Sequence, residues 1–334
     1  MNLRRPELWI LLGSLALAAW WFTRPSAPTA LPERKPERRA PAIAALPPGA
    51  QLLARFDLVR IRQSGLGSAI TGGGRELTGL GSLTELCGFD PTEQIQELAL
   101  ATPAAAGDEP ALGIVATGDF EPERILSCVA KVISRRGGTP TQSKLGEFSS
   151  VRDRSRDGAE VAVRSGGPVL VGEGAYFRAM LDAADGRGPT LLGDEAHATL
   201  RDAVGGHGAL SVTFVTRPGW LERWVTRDEA GAAPLGVVRA GALRVDLEPV
   251  PRATLLLACP SDSTCKELGE WVEKTQRELR AGITREARLD PVSSAKVSVE
   301  PNAVRLALDF DSRKLQQLLL ALLLDDEPKP TAPQ

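Results

Sequence analysis

Leu112-Gly-Ile-Val-Ala116 runs into Asp119 and then Pro122-Glu123. A short apolar run followed by an acidic residue and a first-turn proline reads as a buried strand feeding a helix. Ile125, Val129, Val132 and Ile133 give that helix its apolar stripe. The same order returns 143 positions later. Leu255-Leu-Leu-Ala258 falls on Leu112 to Val115, Asp262 on Asp119, Leu268 on Ile125, Val272 on Val129 and Lys274 on Lys131.

Working outward, Val161 and Val163 alternate with polar neighbours, Ser165-Gly-Gly167 turns the chain, and Val169-Leu-Val171 returns. A helix carrying Tyr176, Met180, Leu181 and Ala184 follows. In the later copy Ala295, Val297 and Val299 align at an offset of 136. Pro301-Asn302 makes the turn, Leu306-Ala-Leu308 returns, and Leu315 to Leu324 closes as a helix. Leu52 to Phe56 and Leu98 to Ala101 are further strands in the first half, and Leu210 to Phe214 opens the second before a helix at Pro218. The expectation is an α+β body of two similar halves, a tandem duplication. Each half is a mixed or largely antiparallel sheet with packed helices, spanning residues 49–195 and 205–324.

The body follows a different kind of sequence. Leu8 to Phe22 carries no charge, with Trp9 at one end and Trp20-Trp21 at the other, the placement of rings at a head-group boundary. Counting the edges it approaches the length of a spanning helix. Residues 1–7 are then a cytoplasmic tail and 8–23 a transmembrane anchor. The competing reading is a signal peptide cut after Ala16-Leu17-Ala18; two tryptophans just beyond that site favour a retained anchor. Residues 24–48 hold seven prolines and read as an extended linker that lifts the body off the bilayer. Residues 325–334 read as a disordered tail. Arg4 and Arg5 place the N-terminus inside, which puts the body on the periplasmic side of a bacterial inner membrane, as a single-pass protein.

Net charge is −2. Seven basic and three acidic groups in residues 1–39 give +4 there and leave −6 for the remainder. An acidic body argues against nucleic acid as a partner. Four cysteines, Cys87, Cys128, Cys259 and Cys265, permit three pairings. Cys259 ends a strand and Cys265 lies in the next helical turn, close enough to bridge, which leaves Cys87 with Cys128. Their spacing fits neither a Cys-x-x-Cys redox motif nor a zinc finger. No metal or cofactor is expected.

Leu46-Pro-Pro-Gly-Ala50, Phe56-Asp-Leu58 and Arg62-Gln-Ser-Gly-Leu-Gly67 resemble the opening of a group of bacterial membrane-anchored envelope proteins with a duplicated α/β unit. Gly65 stands where such sequences often have Pro. The resemblance implies an anchored, exported, duplicated body and no particular activity.

Candidate chemistry is sparse. His197 reads as lying on a polar helix start and His207 in a loop, neither with a nucleophile elbow nearby. Gly72-Gly-Gly74 lacks the Lys and Ser/Thr of a phosphate loop. Ser263-Thr-Cys-Lys266 has the Ser-x-x-Lys spacing of serine acyl-enzymes, but no Ser-Asp-Asn follows, and Lys274-Thr-Gln276 departs from Lys-Thr-Gly. Trp220, Trp224 and Trp271 read as core, and Arg152 to Asp157 as a solvated loop. The leading expectation is non-enzymatic binding or scaffolding in the envelope, with a protein or cell-wall partner. The second is a small-ligand module using the cleft between the halves. The third is an acyl-enzyme using Ser263 and Lys266.

Overall fold

The computed structural model describes residues 40–64, 83–103, 112–155, 158–216, 233–248, 250–283 and 295–309. The expected anchor with Trp9, Trp20 and Trp21, the linker up to residue 39, Trp220, Trp224, the closing helix and the tail lie outside them; the last part of the expected linker, Ala42 to Leu46, is instead a 3-10 turn and its exit, buried in the core because its side chains are apolar. Among the described residues no helix is long and apolar enough to cross a membrane.

Among the described residues twelve strands form one antiparallel sheet. They are β1 (Ala50–Asp57), β2 (Ile95–Pro103), β3 (Gly113–Gly118), β4 (Pro140–Leu145), β5 (Phe148–Asp153), β6 (Glu160–Val163) and β7 (Val169–Gly172), then β8 (Leu210–Val215), β9 (Ala240–Asp246), β10 (Arg252–Ala258), β11 (Lys296–Glu300) and β12 (Ala303–Asp309). Their order is β11-β12-β10-β9-β8-β1-β2-β3-β7-β6-β5-β4. The sequence led us to expect a sheet in each half; the molecule has one continuous sheet. The reason is a seam. β1 and β8 each have an edge that would otherwise expose unpaired backbone groups, and they pair with each other from Leu52 opposite Phe214 to Phe56 opposite Leu210.

Among the described residues seven helices accompany the sheet: α1 (Leu58–Gln63), α2 (Leu83–Cys87), α3 (Pro91–Gln94), α4 (Pro122–Arg135), α5 (Gly174–Ala184), α6 (Glu195–Ala203) and α7 (Asp262–Ile283). On one face Leu58 and Ile61 of α1 and Ile125 and Leu126 of α4 pack on Phe56, Leu98, Ala116 and Val163. The register carries this face across the seam to Leu255, Leu257 and Val304, which α7 covers with Leu268 and Trp271. On the other face Phe177 and Met180 of α5 meet Ala99, Val115 and Leu170, together with a 3-10 turn at Ala42–Ala45. Leu200 and Val204 of α6 meet Ala242 and Leu256. Burial on both faces explains why β3, β7 and β10 read as short apolar runs without alternation.

Three strands escaped the sequence reading. β4 and β5 carry Ser143, Lys144, Ser149, Ser150, Arg152 and Asp153, so what read as a solvated loop at Arg152 is strand as far as Asp153. Asp153 instead holds the start of this hairpin, its carboxylate accepting the Thr139 N–H at 2.9 Å. β9 opens Ala240-Gly-Ala, with too little apolar bulk to register. Its Gly241 is required: a Cβ there would strike the Phe214 ring and the Leu256 carbonyl. The α4 helix begins at Pro122 behind Glu121, three residues later than Asp119 implied. The Pro301-Asn302 turn holds, with Asn302 at φ 61°, a conformation Asn tolerates.

The sheet ends are guarded. β4 starts on Pro140, which has no N–H to offer a further strand, and carries Lys144. β11 carries Lys296 and Glu300.

Two disulfides tie helices to this frame. Cys87 at the end of α2 is bonded to Cys128 in α4, with Cα atoms 4.7 Å apart. Cys259, just past β10, is bonded to Cys265 in α7, 5.7 Å apart. The first closes a 41-residue separation and the second only 6. On a chain-entropy basis these contribute about 4 and about 2.4 kcal/mol. Replacing Cys87 and Cys128 together by Ala is therefore expected to lower urea-unfolding stability more than the Cys259/Cys265 double replacement. Equal or reversed losses refute the ranking.

Candidate functional site

A cavity lies in the first half of the sheet. It occupies about 300 Å³ between the Ala42–Ala45 turn, β3, the β6–β7 hairpin and the C-terminal end of α5. Its wall is mostly Ala, Gly and Pro. Thr117, Thr190 and Arg164 are the polar exceptions.

Local sequence explains the space. α5 approaches β3 and β7 closely because Gly113 faces Tyr176 and Met180, where a Cβ would collide. The helix then presents Ala183 and Ala184 to the cavity instead of larger side chains. The turn opposite contributes Ala42, Ala44 and Ala45. Its exit is fixed by Leu46, which is fully buried and whose carbonyl accepts the Leu191 N–H at 2.7 Å.

Arg164 is held from three sides. Its Nη1 donates to Asp185 Oδ1 at 2.7 Å and its Nη2 to the Ala184 carbonyl at 2.8 Å. The guanidinium also lies 4.9 Å from the centre of the Phe148 ring. A cation on the last carbonyls of α5 also suits the helix dipole. The Asp185 side chain is 7% exposed, and its other oxygen lies 2.8 Å from Arg187 Nη1. Arg187 in turn pairs with Asp182 at 3.0 Å. Two arginines and two aspartates thus balance, with Arg164 nearest the cavity.

The two histidines take different roles. Asp194 caps α6 by accepting the N–H groups of Ala196 and His197 at 3.1 and 3.3 Å. That cap sets His197 in the first turn, but the residue does not sit on a polar surface as its sequence context implied. It is 4% exposed. Its Nε2 lies 2.9 Å from the Ala50 carbonyl, which can only accept, so Nε2 carries the proton. Nδ1 then accepts from the Thr213 hydroxyl at 2.7 Å. His197 therefore joins β1 to β8 and has no free nitrogen for chemistry.

His207 lies in the loop before β8, at the other end of the seam. Its carbonyl faces Arg60 Nη1 at 3.5 Å, and Asp57 N–H donates to the Ala209 carbonyl at 2.8 Å. Partial burial of the ring, with Arg55 and Arg201 nearby, pushes its pKa down to about 4.

Ser263 and Lys266 both face solvent on the first turns of α7. Ser263 Oγ pairs with Ser261 Oγ at 3.0 Å. Ser261, not Ser263, serves the helix start: its carbonyl accepts the Cys265 N–H at 3.0 Å. Trp271 packs with the α7 core, as read. Among the described residues no group of three or more His, Cys, Asp or Glu is placed to hold a metal ion.

Two outcomes follow from the histidines. Replacing His197 by Ala leaves a buried carbonyl and a buried hydroxyl unpaired at the seam and is expected to cost about 2–4 kcal/mol in chemical denaturation. A loss under about 0.5 kcal/mol contradicts that role. For His207 the folded pKa lies below the unfolded value of 6.5. The unfolded chain therefore binds the proton first. Stability is complete above about pH 6.5 and declines as pH falls towards 4. Because the ring is only partly covered, solvent screens the effect to about 1 kcal/mol or less. The His207→Gln variant is expected to flatten that part of the stability–pH curve; an unchanged slope excludes His207 as its source.

No protein-family model and no curated protein sequence matches this chain. Among solved structures, crystal form III of TP0453 is similar with a TM-score of 0.50 at 9% identity, over 85% of this chain and 100% of that one. Crystal form I of TP0453 gives 0.44 at 12% identity, over 85% and 98%. At such identity the first likeness is one of fold alone.

Proposed function

We propose that this chain is a non-enzymatic envelope protein, tethered by residues 8–23 to a bacterial inner membrane, with its folded body binding or scaffolding a protein or cell-wall partner on the periplasmic side. The observation that carries the reading is the pair of disulfides. All four described cysteines are engaged. Cys128, Cys259 and Cys265 are buried, at 7%, 5% and 0% exposure. Structural disulfides of this kind persist in oxidising compartments and are rare in the cytosol.

The tether's entry supports the same reading. The chain passes from a proline-rich stretch into the core through Ala42 to Leu46, so the body has a firm attachment point. We also read the two halves as a tandem duplication. β1-β2-β3-β7-β6 and β8-β9-β10-β12-β11 share one strand order, with α4 and α7 in corresponding places; the β4–β5 hairpin is an addition to the first.

Localisation is tested by fusing a phosphatase that needs an oxidising compartment, or a cytosol-only fluorescent reporter, to Gln334. Activity of the phosphatase fusion alone is expected. Thiol labelling of the denatured full chain without reductant is expected to find none of the four cysteines reactive. Cytosolic fluorescence, or four labelled thiols, refutes the placement. Crosslinking in the native envelope then identifies the partner.

A further inference from the structure

The cavity beside α5 has a composition that selects its occupant. We infer that it binds a short aliphatic monocarboxylate, tail inward against the alanine wall and carboxylate on Arg164. At about 300 Å³ it stands at the small end of ligand sites, enough for a tail of a few methylenes.

Arg164 is the one charged residue in the described wall. Two of its five N–H donors are taken by Asp185 and Ala184, and the others remain for a ligand. The planar fork of a guanidinium matches the two oxygens of a carboxylate. Its position is set in advance by Phe148, Asp185 and the α5 terminus, so little ordering is lost on binding. The Arg164, Asp185, Arg187 and Asp182 cluster is neutral in sum, so a carboxylate is held there by hydrogen bonds and not by surplus positive charge, which disfavours a dianion.

The wall excludes other classes. A peptide would bring amide groups that need partners, and beyond Arg164 only Thr117 and Thr190 offer hydroxyls. A neutral alcohol would leave the guanidinium's fork unmatched. The site lies between the first half and the turn that precedes it. The cleft expected between the halves is occupied by the β1–β8 seam, which is continuous sheet.

The test uses the full chain in lipid nanodiscs, with empty nanodiscs as the blank, titrated with carboxyl-labelled hexanoate and followed by carbon NMR. Saturable binding is expected. Affinity is expected to rise about fourfold per methylene from butanoate to hexanoate, the worth of one buried CH₂. Arg164→Gln is expected to weaken hexanoate at least about tenfold, a carboxylate-guanidinium bond being lost. Ala44→Leu fills the cavity, leaves Arg164 in place and is expected to abolish binding. That variant keeps the test decisive where Arg164→Gln does not fold. The inference is overturned by any of four results: no saturation below about 10 mM, hexanol binding as tightly as hexanoate, acetate matching hexanoate, or Ala44→Leu binding normally.

Discussion

The backbone pairing of β1 with β8 is the constraint on which the architecture rests. Five residue pairs turn two groups of strands into one sheet. Each end of the seam has its own fastening. At one, His197 reaches from α6 to the Ala50 carbonyl and the Thr213 hydroxyl. At the other, Ala209 accepts from Asp57, and Arg60 faces the His207 carbonyl. Neither group of strands has to protect an inner edge, so among the described strands only β4 and β11 lie at the ends of the sheet.

With the sheet continuous, its two faces are shared out among the helices. α1, α4 and α7 lie on one side, and the Ala42–Ala45 turn, α5 and α6 on the other. The helices that follow β3 and β10, α4 and α7, each carry a disulfide. In both cases the bond fixes a helix near its N-terminal half and leaves its packing face to apolar contact. The cavity forms on the other face, beside α5, where the residues that meet are mostly Ala, Gly and Pro.

Much of this was legible in the residues, for identifiable reasons. β2, β3, β7 and β10 contain short apolar runs, and β8 alternates Leu210, Val212 and Phe214 with Ser211 and Thr213; both patterns announce a strand. β4 and β5 do not, since serines, Lys144 and Arg152 hide the pattern at an edge. β9 lacks bulk because Gly241 must pass under Phe214. The Cys259 and Cys265 pair could be argued from a strand-to-turn spacing, whereas Cys87 and Cys128 followed only by elimination. The seam itself has no sequence signature, because strand pairing over 150 residues depends on which edges are left open. For that reason His197 was misplaced on a surface. The signal that points inward is a lone His three residues behind a capping Asp, on the side of the helix that also carries Leu200. Arg164 was passed over because it sits beside a Gly-rich turn and reads as a solvated hairpin residue; its partners, Asp185 and Ala184, lie on a helix that follows.

The way the chain enters the body bears on how it carries load. Any tension applied through the residues before Ala40 arrives first at the Ala42–Ala45 turn and Leu46, which are wedged under α5 and hooked to Leu191. It reaches β1, a central strand with neighbours on both sides, only after that wedge has slipped. The wedge therefore acts as a fuse: a tug would strip a short turn away from α5, and open the cavity, before it disturbed the sheet.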